Sequence, residues 1–74
     1  MARQSLNLKG LKYTMPVVKL SIAVKKGEPG DVFEAVSDYP AFENDVKQWC
    51  DETGNVLDTI TKEDDDITAT IIKK

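Results

Sequence analysis

Apolar and polar positions follow two different periods along this chain, and they predict four strands and two helices. Apolar residues that alternate with polar ones, or that form a short run, indicate strands, whereas apolar residues three or four positions apart indicate helices. Glycine and proline separate these segments. The predicted strands cover residues 5–8, 31–37, 55–62 and 67–73, and the predicted helices cover residues 15–26 and 40–53.

The second predicted helix has the most regular apolar spacing in the chain. Its apolar positions follow the spacing i, i+4, i+7, i+8, i+11 on one face, and they are Phe42, Val46, Trp49, Cys50 and Thr53. Pro40 fits the first turn of this helix, and Gly54 fits a left-handed end. Because a tyrosine at position 39 cannot cap the helix, either Asp38 caps it or the helix begins weakly.

The first predicted helix carries two apolar arcs. Val17, Leu20 and Val24 form one arc, which is enough to cover one face of a sheet. A second arc beside it is formed by Met15, Val18 and Ile22. Two interpretations of the second arc stay open: it binds a partner protein, or it packs against the neighbouring helix.

The element order predicts the fold class. A β-α-β-α-β-β order with two amphipathic helices indicates an α+β chain folded as a two-layer α/β sandwich. The nearly continuous apolar run within residues 31–37 is typical of a buried, central strand. A chain of 74 residues has room for one domain, which we expect to span residues 1–74 with the first four residues frayed.

Composition excludes several kinds of chemistry. The chain has no histidine and a single cysteine, Cys50, so Ser-His and Cys-His catalysis, an internal disulfide and multi-cysteine metal sites are all excluded. The acidic run at 63–66 lacks the spacing of a calcium loop and is predicted to be a hairpin turn. We expect no metal and no cofactor. The sequence shows no membrane-spanning stretch or signal peptide, which favours a cytoplasmic location.

Charge is unevenly distributed. Residues 1–26 hold six basic residues and no acidic one, whereas all thirteen acidic residues lie within residues 27–66. The basic segment could face an acidic protein or a phosphate backbone. The alternative is a solvated surface without a partner.

Several segments together resemble the TusA/SirA family of small sulfur-carrier proteins. The matching segments are LNLKGLK at 6–12, MPVVKL at 15–20, PGDV at 29–32, Asp38, PAFE at 40–43, DVK at 45–47 and WCDETGN at 49–55. The resemblance implies a mixed four-stranded sheet with two helices on one face, similar to the C-terminal domain of translation initiation factor 3. This fold agrees with the order of elements derived above.

The function that the resemblance implies depends on a Cys-Pro-x-Pro motif at the entrance to the first helix. In the family, that cysteine receives sulfur as a persulfide from a cysteine desulfurase or a rhodanese-like donor, and passes it on towards tRNA thiolation, molybdenum-cofactor maturation or sulfur oxidation. Here the four positions are Tyr13, Thr14, Met15 and Pro16. A tyrosine oxygen cannot hold a persulfide sulfur. Because two motif positions differ, natural divergence is favoured over an engineered change, and both interpretations stay open.

Three functional hypotheses follow. The leading one is a divergent TusA-like protein that no longer carries sulfur but still docks, or regulates, a protein of a sulfur-transfer or redox system. The implied partners are a cysteine desulfurase, a rhodanese-like protein or a DsrE-like protein. The residues predicted to bind the partner are Tyr13, Thr14, Met15, Pro16, Val18, Lys19 and Ile22.

The second hypothesis is a working sulfurtransferase component that uses Cys50 or a cysteine of its partner. Cys50 is in phase with Phe42 and Val46, so we expect it to pack in the core, where burial raises the pKa of a thiol and blocks access to it. The third hypothesis is an RNA-contacting module, which rests on the analogy of fold and on the basic first segment. Nucleic acid is the less favoured partner, because no aromatic platform with interleaved basic residues is visible. Whether the chain is an enzyme stays open.

Overall fold

The computed structural model describes residues 3–74, which form four strands and two helices. The elements are β1 (Arg3–Asn7), α1 (Met15–Lys26), β2 (Val32–Ser37), α2 (Phe42–Thr53), β3 (Val56–Glu63) and β4 (Asp66–Ile72). This confirms the predicted β-α-β-α-β-β order. The bounds of α1 are those predicted from the sequence, and those of the last three strands differ from the prediction by one residue at some of their ends.

The four strands form one mixed sheet in the order β1-β2-β4-β3. β1 runs parallel to β2, whereas β4 is antiparallel to both of its neighbours. The two helices connect strands that run in the same direction. Strand β2 lies between β1 and β4, as predicted for a central strand.

The core lies between one face of the sheet and the two helices. Along β2, Phe33 and Ala35 are fully buried, and across the ladder they pair with Ile71 and Ala69 of β4. The helices contribute the other half of the core, with Leu20 and Val24 from α1 and with Phe42, Val46 and Cys50 from α2. The alternation of side chains along each strand therefore gives the sheet one buried face and one face without helices.

The first strand differs most from its prediction. β1 covers Arg3–Asn7 rather than residues 5–8, because its pairing with β2 begins at Arg3 opposite Val32. The strand therefore includes residues 3 and 4, for which the sequence predicted fraying, and residues 1 and 2 lie outside the described residues. Leu8 follows the strand but is buried, and its N–H donates to the carbonyl of Val36 at 2.7 Å.

Helix α2 begins later than predicted. It starts at Phe42, and Pro40 lies in a preceding turn in which the N–H of Phe42 donates to the carbonyl of Tyr39 at 3.0 Å. No side chain caps this helix, so the interpretation of Asp38 as its N-cap is wrong. Gly54 ends the helix in the left-handed conformation, with φ of 79°, as predicted.

The end of α1 is fixed by a residue of β2 and by Lys73, which follows β4. The ammonium group of Lys73 donates to the carbonyl oxygens of Gly27 at 2.7 Å and of Lys25 at 3.3 Å. These carbonyls have no partner within the helix, and a positive charge there favours the helix dipole. The ring of Phe33 lies so close to Gly27 that a Cβ atom on that glycine would approach the Phe33 Cζ atom to 2.6 Å.

Candidate docking site at the β1–α1 loop

The loop between β1 and α1 holds the motif position and is anchored at its base. The N–H of Leu11 donates to the carbonyl of Leu8 at 3.3 Å, and the N–H of Gly10 donates to Asp38 Oδ1 at 3.0 Å. Gly10 has a φ of 87°, a conformation that favours glycine. Asp38 therefore ties this loop to the loop between β2 and α2.

Tyr13 stands at the outer end of this loop, immediately before α1. Its backbone is left-handed, with φ of 61°, which is uncommon for a residue with a side chain. Its side chain is displayed to solvent, with 74% of the residue exposed. The chain then turns into α1 through hydrogen bonds from the N–H of Met15 to the carbonyl of Lys12 and from the N–H of Val18 to the carbonyl of Thr14.

The ring of Tyr13 meets the ring of Tyr39, which precedes α2. The ring centroids are 6.2 Å apart and the planes are tilted by 55°, a geometry that is common for aromatic pairs. Beside the pair lies an open depression of about 320 Å³, lined by Gly10, Leu11, Lys12, Asp38, Tyr39 and Pro40. Asp38 and Tyr39 are not among the residues predicted for this site, since nothing in their local sequence indicates a contact with the first loop.

The second apolar arc of α1 is exposed. Met15, Val18 and Ile22 are 43%, 43% and 46% exposed, respectively. The neighbouring helix does not bury the arc, since Val18 lines an open groove between the two helices. Thr14 and Lys19 are also exposed. These exposed residues belong to the set predicted to bind a partner, and they form one continuous surface with Tyr13.

Pro16 is the exception in that set. Its side chain is fully buried, so it cannot contact a partner, and its assignment as a partner-binding residue is wrong. It occupies the first turn of α1, where its missing N–H costs no helical hydrogen bond. The same position points towards the sheet, as do Leu20 and Val24 further along the helix. Pro16 therefore favours the start of α1 and packs inside the protein.

Cys50 lies on the inner face of α2, as its spacing predicted. The residue is 5% exposed and belongs to the core cluster with Phe42 and Val46. Burial raises the pKa of its thiol to about 11. A thiol with that pKa is ionised in roughly one molecule in 10⁴ at pH 7.

The acidic turn and the helices were also considered as a metal site and as membrane-spanning segments, respectively. Asp66, next to the turn between β3 and β4, accepts a hydrogen bond from the Lys9 ammonium group at 3.1 Å. Across residues 3–74, no cluster of acidic or sulfur-containing side chains has the arrangement of a metal site. Both helices are 12 residues long, and within the same range no helix is long and apolar enough to cross a membrane.

Comparison with known proteins decides the family. The family model described as Sulfurtransferase TusA matches residues 4–74, which is nearly the whole chain. This chain belongs to the TusA family. A curated relative from Aquifex aeolicus (strain VF5), named "Putative sulfur carrier protein", is 39% identical over 61 residues. The match covers 82% of this chain but 31% of the relative, so the chain spans about a third of the length of that protein.

Membership of the TusA family relates the β1–α1 loop to the family's motif. The resemblance set out above aligns Tyr13 with the family cysteine, at the start of the first helix and on the surface. The structure places Tyr13 immediately before α1, with its side chain displayed to solvent. It also places Cys50 in the core, on the inner face of the other helix.

Proposed function

We propose that this TusA-family chain is a docking module of a sulfur relay, and that it binds a protein partner without carrying sulfur itself. The observation that carries the proposal is the combination of an exposed Tyr13 at the motif position with a single, buried thiol. The proposed docking surface comprises the Tyr13 loop and the exposed face of α1, with the residues Tyr13, Thr14, Met15, Val18, Lys19 and Ile22.

The chemistry of persulfide transfer supports a surface that does not itself carry sulfur. A carrier thiolate attacks the terminal sulfur of a donor persulfide, forms a new S–S bond and releases the donor thiolate. The tyrosine oxygen at position 13 cannot replace this thiolate, because it cannot hold a persulfide sulfur. Cys50 would have to reach the donor from the core, and it would have to ionise despite its raised pKa.

The surface itself supports a protein as the partner. Three half-exposed apolar side chains of α1 lie beside Lys19, and α1 carries no acidic residue. An apolar patch rimmed by charge is typical of a protein interface. The partners that fit a TusA-family relay are a cysteine desulfurase, a rhodanese-like protein or a DsrE-like protein. A reducing cytoplasm suits the single free thiol, and we place the protein there.

Intact-mass spectrometry tests the proposal directly. The protein is incubated with a cysteine desulfurase and cysteine as the wild type, as Cys50→Ser and as Tyr13→Cys/Cys50→Ser. We expect no added sulfur on the first two proteins and added sulfur on the third, because the donor docks with position 13 in its reach. Added sulfur on the wild type that is lost in Cys50→Ser would instead support carriage by Cys50. A double variant that gains no sulfur would contradict docking of this donor at the loop.

A binding measurement separates docking from chemistry. With the same desulfurase, Tyr13→Ala and Lys19→Ala should each raise the Kd by at least about fivefold, since each removes an exposed part of the surface. Lys74→Ala is the matched control, because Lys74 is exposed and lies outside this surface. Equal binding by all four proteins would overturn the proposed surface. Binding to RNA that weakens with added salt would favour the third hypothesis instead.

A further inference from the structure

The outer faces of the two helices carry opposite charge. The outward side of α1, here called the α1 strip, presents Met15, Val18, Lys19, Ile22, Lys25 and Lys26. The outward side of α2 and its flank towards α1, here called the α2 strip, presents Asn44, Asp45, Gln48, Asp51 and Glu52. The α1 strip has three positive charges and no negative one, and the α2 strip has three negative charges and no positive one.

Within residues 3–74, the charged side chains of the two strips form no salt bridge. The salt bridges of the described residues 3–74 join Arg3 to Glu34, Lys9 to Asp66, and Glu43 to both Lys47 and Lys62. None of them joins the α1 strip to the α2 strip. Glu43 and Lys47 lie on the other flank of α2, which faces β3. The two strips therefore keep their opposite charges on the surface.

Apolar surface lies between the charges. A shallow groove of about 290 Å³ separates the helices, and its lining includes Val17, Val18 and the half-buried Trp49. Asp45 and Glu52 form the acidic side of this groove. Met15 and Ile22 stand out beside it from the α1 strip. The helical layer thus offers both an apolar protrusion and an apolar depression, next to charges of opposite sign.

We propose that a second copy of this chain covers the helical layer, in a two-fold symmetric dimer. Rotation by a half-turn about an axis that lies in the plane of the interface, parallel to the two helices and midway between them, puts the α1 strip of each copy over the α2 strip of the other. Such an interface is isologous, so each complementary contact occurs twice. Lysines then face carboxylates, and the exposed apolar side chains of α1 face the groove. The charge complementarity between the α1 strip and the α2 strip favours a second copy of this chain as the occupant.

The dimer is weak and sensitive to salt. A standard interface buries about 800 Å² per partner, and the entire described surface of this chain measures 4708 Å². One face of the molecule can supply that area only if nearly the whole helical layer takes part. Since the charged contacts lie at an exposed rim, added salt screens them. Dimerisation also covers the α1 face, so a docking partner of the kind proposed above would have to displace the second copy.

Sedimentation equilibrium on the protein alone tests the dimer, without any relay partner. The weight-average mass should rise above that of the 8.2 kDa monomer as the concentration increases from about 10 μM to about 1 mM at low salt. The Kd should increase at least about tenfold between about 20 mM and about 500 mM NaCl. A chain that stays monomeric over this range at low salt overturns the proposal and leaves the α1 strip to a different protein.

Charge reversal gives the decisive comparison. Variant A carries Lys19→Glu and Lys26→Glu, so both of its strips are acidic. Variant B carries Asp51→Lys and Glu52→Lys, so its α2 strip becomes predominantly basic, and lysines in the last turn of α2 also suit the helix dipole. Each variant alone should be monomeric, whereas an equimolar mixture should form a heterodimer, because both contacts become complementary.

A matched control keeps the test independent of net charge. Glu63→Lys/Asp65→Lys makes the same change in net charge as variant B, but in the β3–β4 hairpin, away from the helical layer. It should dimerise like the wild type. Circular dichroism and thermal unfolding verify that each variant is folded. A mixture of folded A and B that stays monomeric, or a control that loses dimerisation as B does, overturns the proposal. Because no relay protein is present, these outcomes are independent of the proposed docking function.

Discussion

The ring of Tyr13, at the entrance to α1, lies against the ring of Tyr39, at the entrance to α2, with centroids 6.2 Å apart. These residues are 26 positions apart in the chain, and each precedes a different helix. The contact, together with the hydrogen bond from Gly10 to Asp38, joins the two loops at one end of the molecule. The motif position is therefore part of a surface built by both helix entrances.

The left-handed backbone at Tyr13 predicts an unusual order of stability among variants. Tyr13→Gly and Tyr13→Ala both lose the contact with Tyr39, but only glycine adopts a φ of 61° without strain. We expect Tyr13→Gly to be more stable than Tyr13→Ala by about 1 kcal/mol. Urea unfolding of the two variants measures the difference. Equal stabilities would show that the loop does not hold this conformation in solution.

Asp38 is expected to position the motif loop. Asp38→Ala removes the acceptor of the Gly10 N–H, whereas Asp38→Asn retains an oxygen at the same position. Asp38→Ala should lower the free energy of unfolding by about 1 kcal/mol and weaken docking, and Asp38→Asn should restore most of both. Unfolding in urea and binding of the desulfurase provide the two readouts. If Asp38→Asn behaves like Asp38→Ala, the hydrogen bond is not the cause.

Cys50 predicts a loss of stability at high pH. The folded-state pKa is raised from 9.0 to about 11 by burial, so between these values the unfolded chain releases the thiol proton while the folded chain keeps it. Stability is therefore fully present below pH 9 and is lost as the pH rises towards 11. Urea unfolding at pH 8 and at pH 10.5 should show a larger drop for the wild type than for Cys50→Ala. Identical drops would mean that the thiol is accessible when folded.

The close contact between Gly27 and Phe33 predicts that one added methyl group at Gly27 lowers the free energy of unfolding. A Cβ atom at Gly27 would lie 2.6 Å from Phe33 Cζ and 3.1 Å from Asp31 Oδ2, so the ring or the backbone must move. Gly27→Ala should lower the free energy of unfolding by about 1–3 kcal/mol. Lys26→Ala, at the exposed preceding residue, is the control and should change it little. A Gly27→Ala variant as stable as that control would contradict the packing described.

The contact of Lys73 with the C-terminal end of α1 is expected to stabilise the protein. Lys73→Met keeps most of the length of the side chain but removes the ammonium group that binds the carbonyls of Lys25 and Gly27. We expect a loss of about 0.5–1 kcal/mol in the free energy of unfolding. Lys74→Met is the matched control, since the side chain of Lys74 is exposed at the end of the chain. Similar losses in both variants would assign the effect to net charge.

Features that depend on local periodicity could be predicted from the amino-acid sequence alone. The order of the six elements, the bounds of α1 and the burial of Cys50 all follow from which residues recur at strand or helix spacing. The same spacing identified Met15, Val18 and Ile22 as an arc apart from the core. It left open whether the second helix covers that arc, because a helical wheel does not tell where a neighbour lies.

Features that depend on residues far apart in the chain became visible only in the folded structure. The extension of β1 to Arg3 comes from its pairing with β2, and the pairing of Tyr13 with Tyr39 comes from loops that converge at one end of the sheet. Asp38 accepts a hydrogen bond from the N–H of Gly10 instead of capping α2. Local propensity cannot encode these contacts, since each partner is supplied by a different element and is placed only when the layers pack.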